Sequence, residues 1–319
     1  MTDSVLQLLR DRKHHGSTPG HRDDDARLAL VIEGGSSRGA YSSGMTVAIE
    51  RLGLLPAFDA VYGSSAGALN GAWLLCGRAE STMHAWWDRA IMGATIAPVR
   101  ALRGRPVVDT GYLVHTIYTE VMPMGFREVL GNAVEFHPIA TDAVTGEAVD
   151  LHDHIVDQTS LQAALRASTA MPLLAGKPVE LGGRTYVDAG VSEAVPFRTA
   201  VAQQATHVVA LRTKRLDEPA ATPPSRGERL VASRWFARHA RGAQATWLRR
   251  DVIRAEEERL LATHPDTLQI RPPQGSARIG RTERGPDLLR AAVDAGIQAA
   301  TSALSAAGAT PDLEETPWT

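Results

Sequence analysis

The sequence predicts an α/β fold, a three-layer α/β/α arrangement around a mostly parallel central sheet. Three observations carry that expectation. Residues 28–32, Leu-Ala-Leu-Val-Ile, form an unbroken apolar run, as a central strand covered on both faces requires. A glycine-rich loop and then a helical pattern follow it directly. A second short apolar run, residues 58–62, meets Gly63-Ser64-Ser65-Ala66-Gly67 and then another helical pattern. Strands alternating with helices in this way build parallel sheets.

Taken in order, the first 25 residues are polar, with His14-His15 and Asp23-Asp24-Asp25, and read as a flexible tail with one helical turn near residues 5–10. The first strand and its loop, Gly34-Gly35-Ser36-Ser37-Arg38-Gly39, lead into a helix over residues 40–52. Helices are expected over 66–76 and 80–91, with Trp73, Trp86 and Trp87 in the core. Strands follow at 134–140 and 147–151, a helix at 161–169, and a short strand at 185–187 that runs into Asp188-Ala189-Gly190. Strands at 207–211 and 268–270 and an Ala-rich helix over 288–304 complete the main domain, taken as residues 26–304. Residues 305–319 read as a second flexible tail.

Residues 216–261 differ in character. A Pro-rich stretch at 219–224 precedes a long helical pattern that mixes Arg226, Arg229, Arg234, Arg238, Arg241, Arg249, Arg250 and Arg254 with Trp235, Phe236, Trp247, Leu248, Val252 and Ile253. Such a basic amphipathic helix can lie on an anionic membrane surface. It can equally pack its aromatics on the sheet and solvate its arginines.

Composition narrows the classes. The chain has 319 residues, 44% of them hydrophobic, enough for a large core. A net charge of −2 gives no reason to expect a nucleic-acid partner. The single cysteine, Cys76, excludes an internal disulfide and fits a reducing, cytoplasmic setting, with the arginine-rich segment available for peripheral contact at the inner membrane face. No apolar run reaches the roughly 20 residues of a membrane span, and the N-terminus lacks a secretory pattern. The oligomeric state is left open.

The pentapeptide centred on Ser65 has the Gly-x-Ser-x-Gly form, and strand, sharp turn and helix around it make a nucleophile elbow. Gly63, Ser64, Ala66 and Gly67 are small because the turn excludes bulk, and the helix that follows points its positive end at charge developing on attack. A serine hydroxyl also needs a base and oxyanion donors. The loop Gly34 to Gly39 offers converging backbone N–H groups, and Arg38 either fixes that loop or meets an anionic head group. A dinucleotide loop would need Gly-x-Gly-x-x-Gly, and Ser36 breaks that pattern. A histidine base would be His207, His239 or His264. His207 begins a strand, at the wrong end of a parallel sheet, and none of the three has local motif support. Asp188 ends a strand, and a desolvated carboxylate can accept a serine proton. His152-Asp153-His154 reads as solvated surface, and neither a metal nor a cofactor is called for.

Three motifs in order, Glu33-Gly34-Gly35-Ser36-Ser37-Arg38-Gly39-Ala40-Tyr41, Gly63-Ser64-Ser65-Ala66-Gly67 and Asp188-Ala189-Gly190, make the chain resemble the patatin-like phospholipase family. The resemblance covers about residues 27–211. It implies a Ser65–Asp188 dyad with no histidine, an oxyanion hole in the glycine loop, and a lipid ester substrate cleaved through an acyl-serine. One departure stands out: Ser36 occupies a position where the family usually has glycine, which narrows the hole or demands a backbone angle that only glycine takes freely. A soluble carboxylesterase, a thioesterase or an acyl transferase would use the same parts. A scaffold with impaired catalysis that binds lipid or a partner protein is the alternative of another class.

Overall fold

A computed structural model describes residues 2–219 and 223–308. Its eight-stranded sheet has the order β5-β6-β3-β2-β1-β7-β8, with β4 pairing β3 outside this path. The strands are β1 (Leu28–Ile32), β2 (Ala60–Ser64), β3 (Glu135–Asp142), β4 (Ala148–Asp150), β5 (Val179–Leu181), β6 (Arg184–Asp188), β7 (His207–Leu211) and β8 (Thr267–Ile270). The run β3-β2-β1-β7-β8 is parallel, and β4, β5 and β6 join antiparallel. The mostly parallel α/β expectation holds.

The unbroken apolar strands have a direct cause. In β1, Leu28, Leu30 and Ile32 pack into one core layer and Ala29 and Val31 into the opposite one, so both faces are dry. The first layer is roofed by helices α1 (Thr2–His14), α2 (Gly39–Arg51), α3 (Ala66–Leu75) and the closing helix Pro286–Gly308. The second is covered by helix Phe197–Ala202 and helix Arg250–Thr263. The chain leaves β1 for β2 on one side and returns to β7 on the other. This is a switch point, where open parallel sheets place ligand sites beyond the carboxyl ends of the strands.

Three expectations need correction, and one element is new. The N-terminal segment is no loose tail: α1 buries Val5 and Leu9 fully, and Arg12 is 2% exposed while bonded to Asp24 and Asp59. The continuous helix expected over 80–91 is broken. Asp88 caps a new helix, Arg89–Thr95, by accepting the Ala90 and Ile91 amides at 2.8 and 2.9 Å. A π-helical segment, Leu113–Val121, was not anticipated. The arginine-rich helix is three helices, Arg226–His239, Gln244–Leu248 and Arg250–Thr263, because the chain turns at Gly242, whose amide bonds the Ala143 carbonyl at 3.1 Å. Part of the Pro-rich stretch and residues 309–319 of the expected C-terminal tail lie outside the described residues. Residues 305–308 extend the closing helix. No helix among the described residues is long and apolar enough to cross a membrane.

Candidate active site

Ser65 sits between β2 and α3 with φ 54 and ψ −122, a left-handed conformation uncommon for a residue with a Cβ. The turn is held in place by close packing. A Cβ on Gly67 would stand 2.2 Å from the Ile32 carbonyl oxygen, so only glycine lets α3 settle onto the end of β1. The Ser65 amide donates to the Ser168 hydroxyl at 2.9 Å, a contact from helix Gln158–Ser168 that no sequence motif announced. Ser64 Oγ donates to the Glu193 carbonyl at 2.8 Å.

Asp188 arrives from an unexpected direction. It ends a strand, as expected, but in a mostly parallel sheet that strand, β6, runs antiparallel to β3. The register repairs the difference: Ser64 pairs with Ile139 of β3, and Asp188 pairs with the next β3 residue, Ala140. Serine and aspartate therefore reach the same level from opposite sides of β3. Ser65 Oγ donates to Asp188 Oδ2 at 2.7 Å, and Asp188 Oδ1 accepts the Gly190 amide at 2.8 Å. Both residues are buried. Burial raises the Asp188 carboxyl above the ordinary aspartate value, against the opposing pull of the Ser65 and Gly190 bonds and of Arg281 and Arg254. A carboxylate so raised is a better proton acceptor.

The glycine loop lies beside this pair. Gly34 donates to the Ala194 carbonyl at 3.0 Å, and a Cβ on Gly34 would meet the Ser64 oxygen at 2.7 Å. Ala194 is held in turn by Glu257, whose Oε1 accepts its amide at 3.0 Å; burial, with Glu193 nearby, pushes the Glu257 carboxyl up to about 8. Ser36 adopts φ 53, the glycine-like angle its position demands. Its hydroxyl donates to the Arg281 carbonyl at 2.6 Å, and Ser37 Oγ donates to the same oxygen at 3.0 Å. The Ser37 amide is also directed at Arg281 O, at 3.4 Å. Among the described residues the Gly35 and Ser36 amides have no protein acceptor, so two donors stand available at the loop. The Arg38 side chain lines the same space, and Gly39 lies against Ala66 and Trp86.

Two chambers meet at Ser65. One is apolar, about 830 Å³ of unfilled space with its mouth included, and is walled by Leu69, Trp73, Met83, Trp86, Met92 and Tyr118. Such a lining suits an apolar ligand. Burial pushes the Tyr118 phenol up to about 12, a sign of how dry this wall is. The other chamber, on the Asp188 side, is polar and lined by Arg38, Lys214, Arg250, Arg254 and Arg281. Two of these arginines, Arg250 and Arg254, come from the arginine-rich segment over residues 216–261. The aromatics of that segment, Trp235, Phe236 and Trp247, pack with Val187 and Val191 instead.

The histidines take no part in either chamber. His207 opens β7 at the far end, and His264 sits edge-on to Phe197. His239 ends helix Arg226–His239 beside Trp235. His152 is not simply solvated: its Nδ1 bonds the Phe136 carbonyl at 2.9 Å and its ring stacks on His137.

Fold and site together define an α/β protein whose buried serine, on a sharp strand-to-helix turn, faces a buried carboxylate between an apolar and a cationic chamber. The chain belongs to the patatin-like phospholipase family, whose model matches residues 30–201. Over 193 residues it is 28% identical to the uncharacterized protein YjjU of Escherichia coli (strain K12), covering 59% of this chain and 52% of that one. Over 262 residues it is 23% identical to the lysophospholipase NTE1 of Debaryomyces hansenii, covering 73% of this chain and 16% of that one. The chain thus spans about half of the first relative and about a sixth of the second. VipD from Legionella pneumophila superposes with a TM-score of 0.45 at 12% identity, over 88% of this chain and 67% of that one.

Proposed function

We propose that this protein is a serine lipid acyl hydrolase, cleaving carboxylic esters of lipids in the manner of a phospholipase A or lysophospholipase. The observation that carries the reading is the 2.7 Å hydrogen bond from Ser65 Oγ to the buried Asp188 carboxylate, with an apolar chamber opening at the same hydroxyl. Family membership and the likeness to a lysophospholipase support the substrate class.

Ser65 Oγ attacks the ester carbonyl carbon as Asp188 Oδ2 takes its proton, and the carbonyl electron pair moves onto oxygen. The amides of Gly35 and Ser36 and the positive end of α3 stabilise that oxyanion. The tetrahedral species collapses, the lysolipid or alcohol oxygen leaves with the proton from Asp188, and an acyl-serine remains. Water then adds to the acyl carbon while giving a proton to Asp188. A second collapse breaks the acyl–Oγ bond and returns that proton to Ser65. The acyl chain lies in the apolar chamber throughout.

Peripheral membrane contact is part of the same proposal. Helix Arg226–His239 exposes Leu230 and Val231 beside Arg226, Arg234 and Arg238, an apolar strip edged by cations. Stronger sedimentation with acidic vesicles than with neutral ones tests this, and equal binding removes it.

A fluorophosphonate probe tests the core of the proposal. It should label the wild type and leave Ser65→Ala unlabelled, and a series of lipid esters, short esters and thioesters should favour the lipid esters. Equal labelling of both proteins would overturn Ser65 as nucleophile. Preference for thioesters would point to a thioesterase. Lipid binding with an unreactive Ser65 would point to a scaffold.

A further inference from the structure

The cationic chamber has more charge than an acyl hydrolase needs. Arg38, Lys214, Arg250, Arg254 and Arg281 line it, against the carboxylates of Glu33 and Asp188. Glu33 is already neutralised: its Oε2 accepts Arg212 Nε at 3.0 Å and the Thr213 amide at 2.8 Å. Asp188 is turned to Ser65 and Gly190. Among the described residues Arg38, Arg250, Arg254 and Arg281 form no ion pair with a carboxylate. The Nε groups of Arg38 and Arg254 are buried without any acceptor, although buried guanidinium donors are normally satisfied.

Two of the arginines are nevertheless fixed. Arg254 Nη2 donates to the Gly190 carbonyl at 3.1 Å, two residues after Asp188. Arg250 lies over the Trp247 ring at 3.9 Å and donates to the Trp247 carbonyl at 3.2 Å. Arg281, exposed at the surface, stands at the edge of the chamber, while Arg250 is buried. Lys214 is pushed down to about 8, first by burial and then by repulsion from Arg38. The guanidinium groups of Arg38, Arg254 and Arg281 repel one another at this range, a cost that a bound dianion would reverse.

We infer that this chamber holds the phosphate monoester of an anionic lipid, so that the preferred substrate is an acyl ester bearing a terminal, doubly charged phosphate rather than a zwitterionic head group. A quaternary ammonium would add a sixth positive charge to the chamber; a phosphate monoester brings two negative charges and three acceptor oxygens that suit guanidinium forks. The inference rests on the acyl hydrolase reading. It extends that reading to the head group, which would lie on the Asp188 side of Ser65 while the acyl chain lies on the other.

The test compares lysophosphatidate, lysophosphatidylcholine and monoacylglycerol with one shared acyl chain, presented to the full chain in the same neutral detergent micelles. Lysophosphatidate should exceed the other two by about tenfold or more in kcat/KM, and Arg250→Gln and Arg254→Gln should each reduce that ratio by about tenfold, the range of a charged hydrogen bond. Equal rates on the three lipids, or a ratio unchanged in both variants, overturn the inference and leave the acyl hydrolase reading standing. If no ester is cleaved, that reading fails, and the chamber is judged separately by calorimetry on Ser65→Ala. Glycerol 3-phosphate should then bind more tightly than inorganic phosphate. Equal binding of the two would assign the chamber to free phosphate and overturn the head-group assignment.

Discussion

The Ser168 hydroxyl accepts the backbone N–H of Ser65 at 2.9 Å and so pins the turn on which the serine projects. Ser168 is fully buried, so this amide has no ready exchange with bulk water. Removing the hydroxyl leaves a buried donor unmatched, at a cost of about 1–3 kcal/mol. Ser168→Ala should lower stability in denaturant titration by that amount. It should lower kcat with little change in KM, because the acyl chamber is untouched. Unaltered kcat would mean that the turn is held by its glycines alone.

Asp188 is expected to limit activity on the acid side. Burial raises its carboxyl in the folded state, so the ionised, proton-accepting form disappears at a higher pH than for an ordinary aspartate. The sign for stability follows. A raised carboxyl favours the fold most below the unfolded value of 3.8 and loses that contribution as pH rises through the folded value. Asp188→Asn removes the charge, so it should raise Tm at neutral pH and make no difference below 3.8. The same substitution should cut turnover by about 100-fold or more, as loss of a general base does. A lower Tm at neutral pH together with wild-type turnover would remove Asp188 from the base role.

Ser36 is resolved by a pair of variants. It carries a left-handed φ of 53, which costs a side-chain-bearing residue about 1 kcal/mol, and its Oγ bonds the Arg281 carbonyl at 2.6 Å. Ser36→Ala loses the bond and keeps the strain. Ser36→Gly loses the bond and relieves the strain. The glycine variant should be the more stable of the two by about 1 kcal/mol in thermal or chemical unfolding. The reverse order would show that the loop does not hold this angle in solution.

These sites differ in how far the sequence exposed them. The glycine loop, the Ser65 turn and Asp188 were legible because each depends on local chemistry: small residues where backbones touch, and a serine between strand and helix. What escaped depends on distant contacts. Ser168 ends an ordinary helix and has meaning only through a partner 103 residues away. The direction of β6 is invisible in a five-residue strand, since pairing partners set it. Arg250 and Arg254 read as a solvated helix face because nothing local reports that Arg250 stacks on Trp247 and Arg254 bonds the Gly190 carbonyl. Some signals were present and unused. Asp88 is an N-cap inside an expected helix, and Ser225 with Glu228 forms a capping box. Val5 and Leu9 share one face of α1 by their i, i+4 spacing.

The helix that Val5 and Leu9 anchor supplies the last prediction. Arg12 Nη1 donates to Asp59 Oδ2 at 2.7 Å and to the Ala57 carbonyl at 2.8 Å, and its Nη2 donates to Asp24 Oδ1 and the Ala26 carbonyl, each at 2.6 Å. Asp59 Oδ2 also accepts the Leu28 amide at 2.7 Å, so this guanidinium ties α1 to the start of the central strand. Asp59 keeps Arg22 at 2.8 Å when Arg12 is removed and Asp24 is partly solvated, so the cost is that of the lost charged hydrogen bonds and the unmatched Ala57 carbonyl, about 1.5–3 kcal/mol. Arg12→Ala should therefore destabilise the whole domain by about 1.5–3 kcal/mol, measured as a loss in the denaturant midpoint at unchanged slope. The Arg12 guanidinium holds the Asp24 carboxyl below its usual value, so this part of the stabilisation is present above pH 3.8 and fades as pH falls through the lowered value. The gap between wild type and Arg12→Ala should accordingly narrow in acid. A variant as stable as the wild type at neutral pH would show that the Arg12 tie is dispensable and that Val5 and Leu9 alone hold α1 to the sheet.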